Sequence, residues 1–203
     1  MRIGAAEAPP ILFVPPLFEE MNRTRALIAS AMRRLAARGF AGWLPDLGGT
    51  GESATALGDL SWDDWRHDVS AASGLVAEHS AAPLVVALRG GCLIDDAASA
   101  IGWWRLAPVE GASLTRDMAR AGLAGVEWAG YAPSAALRER LAEARPAPPA
   151  PLRTVQLASG AGTADARITG PALWRRSEPG NSQELAEGMA ADIAAWYATC
   201  AAR

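Results

Sequence analysis

Lysine is absent from this chain, and all 19 basic side chains are arginine. Against 22 acidic residues they leave a net charge of -3, too weak a field to favour a polyanion or an anionic lipid surface. The arginine and alanine bias fits a GC-rich coding genome better than a binding role. Arg33 and Arg34 fall on an amphipathic helix pattern, where a solvated face accounts for them, so nucleic acid is not an expected partner. Only Cys92 and Cys200 are present, far apart in sequence, which excludes a disulfide framework. No uninterrupted apolar run reaches the ~18 residues of a membrane span. The opening MRIGAAEAPPILFVPP has too short an apolar run for a signal peptide. A soluble cytoplasmic protein is expected. Histidine is almost missing too, with His67 and His79 alone.

What is present suffices for one core. At 203 residues and 50% hydrophobic, the chain fits a single domain over 1–203. Short apolar runs alternate with helical patterns, which predicts an α/β fold: a mostly parallel sheet flanked by helices. Strands are expected at Ile11–Val14, Ala41–Leu44, Leu84–Leu88, Trp103–Leu106, Thr154–Ala158 and Ala166–Thr169. The spacing predicts helices over Met21–Arg38, ended by Gly39, and over Trp62–Glu78, capped by Ser61 with Asp64. Further helices are expected over Gly91–Ala100 and Ser134–Ala144, and a final one carries the stripe Leu185, Met189, Ile193, Trp196 and Tyr197. Residues Val109 to Arg145, including the segment Val126–Tyr131, break the alternation and read as a small lid-like insert. Pro146–Pro151 reads as a stiff connector, and no internal repeat is visible.

The segment Pro83–Leu93, PLVVALRGGCL, runs an apolar strand into a glycine-rich turn. In α/β-hydrolases such a strand ends in G-x-S-x-G, a sharp turn that lifts a nucleophilic serine above the sheet. Here the frame reads Ala87, Leu88, Arg89, Gly90, Gly91. A guanidinium stays protonated at any ordinary pH and has no lone pair suited to attack. The fold's nucleophile is followed in chain order by an acid and then a histidine, yet both histidines precede the elbow. Gly170–Trp174 stands where the late histidine would fall, and Ser159 and Asp165 where the acid would. A Ser-His-Asp triad is not expected. Cys92 falls beyond the turn, inside the expected helix, where it reads as a small buried hydrophobe.

The remaining constellation is Glu19, Glu20, Asn22 and Arg89, because the loop after the first strand and the elbow both emerge at the carboxyl edge of the sheet, where ligands bind in open α/β folds. Two uses stay open and can coexist: an ion pair tying two loops together, or an anion receptor at Arg89 aided by the amides of Gly90 and Gly91 and a helix N-terminus. Leu17 and Gly90 sit where oxyanion-hole amides are contributed. Trp62, Trp65, Trp103, Trp104 and Trp174 read mainly as core, with a pocket wall as the alternative. Gly48, Gly49 and Gly51 read as a turn, since no lysine follows them.

FVPPLFEEMNRTR (Phe13–Arg25), LPDLGGTGES (Leu44–Ser53), VALRGG (Val86–Gly91), VEWAGYAPS (Val126–Ser134) and GPALW (Gly170–Trp174) together resemble one family, the exosortase A system-associated hydrolase 2 proteins. The likeness runs over nearly the whole chain, in the same order; PP-x-x-EE-x-N and the L-R-x-G elbow are its specific parts. It implies an α/β-hydrolase fold in bacteria that secrete exopolysaccharide and sort PEP-CTERM proteins. The chain departs from the common pattern by having little before Ile11, so the sheet is expected to be reduced at its N-terminal edge. Two hypotheses follow. One is a hydrolase of a small acyl or ester-type compound, with Glu19 or Glu20 as base toward water and Arg89 stabilising negative charge. The other is a non-catalytic ligand- or partner-binding scaffold. A small acyl or anionic ligand is expected, with no metal or other cofactor. Trp128 and Tyr131 fit either the core of the insert or a homodimer surface.

Overall fold

The computed structural model describes residues 1–51, 53–121, 128 and 130–203. Apolar runs without polar alternation need burial on both faces, and the sheet is made of them. β1 (Arg2–Ile3), β2 (Pro10–Val14), β3 (Ala41–Trp43), β4 (Leu84–Leu88), β5 (Gly102–Leu106), β6 (Leu152–Leu157) and β7 (Ala166–Ile168) form one sheet in the order β1-β3-β2-β4-β5-β6-β7. Every neighbouring pair is parallel except β1 with β3, where Arg2 lies opposite Trp43. At the N-terminal edge the antiparallel strand is 2 residues long.

Alternate residues of each strand feed two cores. Ile11 and Phe13 pack with Leu27 and Ile28 of α1 (Glu19–Ala36) and Met189 of α5 (Gln183–Ala201). Leu12 and Val14 pack on the other face, with Trp65 and Val76 of α2 (Trp62–His79), Leu114 of α3 (Gly111–Ala121) and Leu137 of α4 (Ala135–Glu143). The expected cap of α2 forms reciprocally: the Asp64 amide donates to Ser61 Oγ at 3.2 Å and the Ser61 amide to Asp64 Oδ2 at 2.8 Å. α1 starts earlier than Met21, so Glu19 and Glu20 stand in its first turn, where the helix dipole favours carboxylates.

The helix expected over Gly91–Ala100 does not form. Two 3₁₀ turns, Arg89–Leu93 and Asp95–Ala97, take its place. Gly90 and Gly91 are poor helix formers, and tertiary bonds claim the next turn. Arg105 donates to the Asp95 carboxylate through Nη2 at 2.6 Å and Nε at 2.8 Å, and Trp103 Nε1 donates to the Asp95 carbonyl at 3.0 Å. Arg66 Nη1 holds Asp96 at 2.7 Å. The helix dipole expected to assist Arg89 is therefore missing.

α3 and α4 fill part of the insert and meet without a gap at Gly111, where a Cβ would lie 1.7 Å from the Leu141 carbonyl oxygen. Part of the segment Val126–Tyr131 falls outside the described residues. Trp128 and Tyr131 bridge to one another and set their rings edge-on to Phe18, with centroids 6.0 and 5.5 Å away. Among the described residues, no helix is long and apolar enough to cross a membrane.

Candidate functional site

Three residues other than glycine adopt positive φ among the described residues: Phe18 at 57°, Arg89 at 52° and Ala107 at 48°. They follow β2, β4 and β5, which are adjacent in the sheet, so the strain collects at one stretch of its carboxyl edge. Such conformations cost about 1–3 kcal/mol each and cluster where a site needs them. At Arg89 the left-handed backbone makes a sharp turn from β4 into the first 3₁₀ turn, at the place a nucleophile elbow takes in the fold. Gly91 permits it, because a Cβ there would meet the Pro15 and Val14 carbonyl oxygens at 2.5 and 2.6 Å.

The side chain of Arg89 is buried and held on two sides. Its Nη2 donates to Glu20 Oε1 at 2.9 Å and its Nε to Glu20 Oε2 at 3.2 Å, while Nη1 donates to the Ala107 carbonyl at a long 3.4 Å. The Trp174 ring faces the guanidinium carbon at 5.2 Å, within cation-π range. Burial raises the Glu20 carboxyl above its ordinary range, against the pull of Arg89. Glu20 thus makes the ion pair with Arg89. Glu19, one residue earlier on the helix, faces elsewhere and accepts from Asn22 Nδ2 at 3.1 Å and from the Tyr131 hydroxyl at 3.4 Å. Burial and the nearby Glu19 carboxylate raise the Tyr131 hydroxyl. Arg23 Nη1 donates to the Trp174 carbonyl at 3.0 Å, which fixes the segment that carries the ring.

Two cavities meet at this pair. One, of about 330 Å³, has Glu19, Glu20, Asp117, Arg23, Arg89 and Arg175 on its polar side and Leu114 and Met118 on its apolar side. The other, of about 230 Å³, lies toward Ala107 and β6 and reaches Gln156, Ser159 and Arg175. Arg89, Trp174 and Arg175 border both. Leu17, Asn22, Gly90 and Gly91 stand just outside them. Leu17 is buried against Gly90, whose Cβ would meet Leu17 Cγ at 3.3 Å. Asn22 is exposed and donates to the Tyr131 hydroxyl at 3.2 Å.

The histidines lie on α2, away from the elbow. His79 Nδ1 sits 2.8 Å from the Leu75 carbonyl and its ring tilts on Trp43. Among the described residues, no serine is hydrogen-bonded to a histidine. Asp165 caps a strand, with Oδ2 accepting from the Thr154 amide at 2.7 Å. Cys92 is fully buried, and desolvation raises its thiol well above the ordinary value, as packing requires and nucleophilic attack does not. Trp62, Trp65, Trp103 and Trp104 are core residues, and Trp174 is the tryptophan at the cavities. Gly49 and Gly51, at φ 69° and 56°, serve a turn. Two parts of the site escaped sequence reasoning: the stacking of Trp174 on Arg89, and the wall made by Gln156 and Arg175. Both arise where distant segments meet.

Solved structures share this architecture. Est1E from Butyrivibrio proteoclasticus, determined with ferulic acid bound, matches with a TM-score of 0.58 at 13% identity, over 77% of this chain and 72% of that one. The thioesterase domain from the curacin biosynthetic pathway matches with 0.57 at 14% identity, over 97% and 93%. Alpha/beta hydrolase domain-containing protein 10 from mouse matches with 0.57 at 15%, over 100% and 91%. No family model and no curated protein matches the sequence. The fold is that of the α/β-hydrolases; at these identities the likeness carries the fold alone.

Proposed function

We propose that the chain binds small acyl or ester-type compounds at the Arg89 cleft, as a cytoplasmic component of an exosortase and exopolysaccharide system, without forming an acyl-enzyme. The observation that carries the reading is Arg89 at the crest of a strained elbow, with one edge pinned by Glu20 and space on either side of it. A cation held this way is a preorganised receptor for a carboxylate or a polarised carbonyl. The resemblance to the exosortase-associated hydrolases supports the biological setting: Glu19 and Asn22, Arg89, Tyr131 and Trp174 come from four of the segments that carry it, Glu19 bonding to Asn22 and Tyr131 and Trp174 stacking on Arg89, with Glu19 and Arg89 on one cavity.

Hydrolysis is the second reading, favoured by the Glu19 carboxylate in the larger cavity. Glu19 would take a proton from water as its oxygen attacks the ester carbonyl; Arg89 would stabilise the oxyanion, and the proton would pass to the leaving alkoxide. The pairing of Arg89 with Glu20 favours the binding reading. A series of p-nitrophenyl esters from acetate to octanoate, with calorimetry on hexanoate, separates the two using wild type, Glu19→Gln and Arg89→Gln. Saturable hexanoate binding weakened about tenfold in Arg89→Gln, with no ester turnover, supports binding alone. Turnover that falls about 10²-fold or more in Glu19→Gln at similar KM supports hydrolysis. Absence of both overturns the proposal.

A further inference from the structure

We infer that the cavity beside the vacated relay positions is an anion subsite, taking the carboxylate or phosphate group of the ligand; this rests on the binding reading of the Arg89 cleft. In a hydrolase relay the acid follows one strand and the imidazole the next. Here Ser159 follows β6, and Gly170–Trp174 follows β7. A cavity of about 230 Å³ opens beside them, enough for an oxyanion and several waters at ~30 Å³ each.

Its wall is suited to negative charge. Among the described residues that line it, Arg89 and Arg175 are the charged ones and none is acidic, while Gln156 and Ser159 add neutral donors. The larger cavity is different, since Glu19, Glu20 and Asp117 border it and offset the charges of Arg23, Arg89 and Arg175 there. The guanidinium of Arg89 is divided between them: Nε and Nη2 go to Glu20, while Nη1 extends toward Ala107, on the smaller cavity, through a contact of 3.4 Å that a charged oxygen would outcompete. Ala107 reaches that place by adopting φ 48°. Trp174 stands between the cavities, 4% exposed, and its Nε1 has no acceptor among the described residues.

The part of the wall that follows β6 is braced. Arg167 Nη1 donates to the Leu157 and Gly160 carbonyls at 3.2 and 2.7 Å, and Nη2 to the Gly162 carbonyl at 2.7 Å. Three acceptors of that loop are thereby committed to a cation, which lessens their repulsion of an anion. A ligand would then lie with its charged end by Arg175 and Arg89 and its apolar part toward Leu114 and Met118, across the Trp174 ring.

The test is calorimetry with inorganic phosphate, acetate and hexanoate at constant ionic strength, on wild type, Arg175→Gln, Ala161→Glu and Arg89→Gln. Arg175 and Ala161 are exposed, so both variants should keep the wild-type melting temperature. The expected result is saturable binding by wild type, weakened about tenfold in Arg175→Gln and weakened likewise in Ala161→Glu. A stronger phosphate arm identifies a phosphorylated ligand, and a stronger hexanoate arm an acyl carboxylate. Wild-type affinity in both Arg175→Gln and Ala161→Glu overturns the subsite. If hexanoate binding still depends on Arg89 in that case, the cleft reading survives; if no probe saturates wild type, both fall.

Discussion

Replacing a hydroxyl by a guanidinium at position 89 changes what surrounds it as well as what it can do. A serine needs an imidazole within hydrogen-bond reach, whereas a buried arginine needs a carboxylate and a flat surface. Glu20 and Trp174 supply these. The meeting of Arg89 with the Glu19-Glu20 pair was legible in the sequence, because both segments leave the carboxyl edge of the sheet. Which glutamate would pair was not, since that depends on the rotation of α1 and on its first turn starting at Glu19. Restoring serine alone should therefore restore no chemistry. We expect Arg89→Ser to gain no esterase activity and, like wild type, to resist a serine-directed fluorophosphonate probe. Removing one partner of the buried pair should cost about 3–5 kcal/mol of stability, read by urea denaturation. Stoichiometric labelling of the wild type would contradict the absence of a serine nucleophile, and labelling of Arg89→Ser would contradict the need for a relay beside it.

At the scale of elements, the sheet was readable because its strands are buried on both faces and so appear as unbroken apolar runs, as Leu84–Leu88 does. The Ser61–Asp64 cap was readable because capping is local. The loss of the helix after the elbow was not, because Asp95 is diverted by Arg105 and Trp103, residues of the next strand. Glycines at the two places then differ in what they do. Gly91 lies where β2 and the elbow touch, whereas Gly74 lies on the exposed side of α2 with nothing within 4 Å of its would-be Cβ. Gly91→Ala should destabilise by about 1–3 kcal/mol or more, since backbone must move. Gly74→Ala should stabilise by roughly 0.5–1 kcal/mol. Denaturation midpoints of the two variants check the contrast, and equal effects would place the elbow wrongly.

For the molecule as a whole, pH response follows from charges placed inside the sheet layer. Asp95 is 0% exposed, and burial pushes its carboxyl up to about 6, outweighing the bidentate hold of Arg105, while the same pair raises Arg105. The folded carboxyl keeps a proton that the unfolded chain has already released, so this group's contribution to stability declines as pH rises from about 4 to about 6 and is level above that. Asp192, held by Arg153 and Trp104, is lowered and acts in the opposite sense, adding stability that is lost as pH falls through the acidic range. A comparison with Arg105→Met isolates the first effect, because both proteins keep Asp192. Without the guanidinium the Asp95 carboxyl should remain protonated past neutrality. The variant should then go on losing stability above pH 6, where wild type has levelled. The gap between them, measured by urea denaturation from pH 5 to 8, should widen by about 1.4 kcal/mol per pH unit above about pH 6. A gap independent of pH would mean that Asp95 titrates alike with and without Arg105, and that the guanidinium does not hold its carboxyl down.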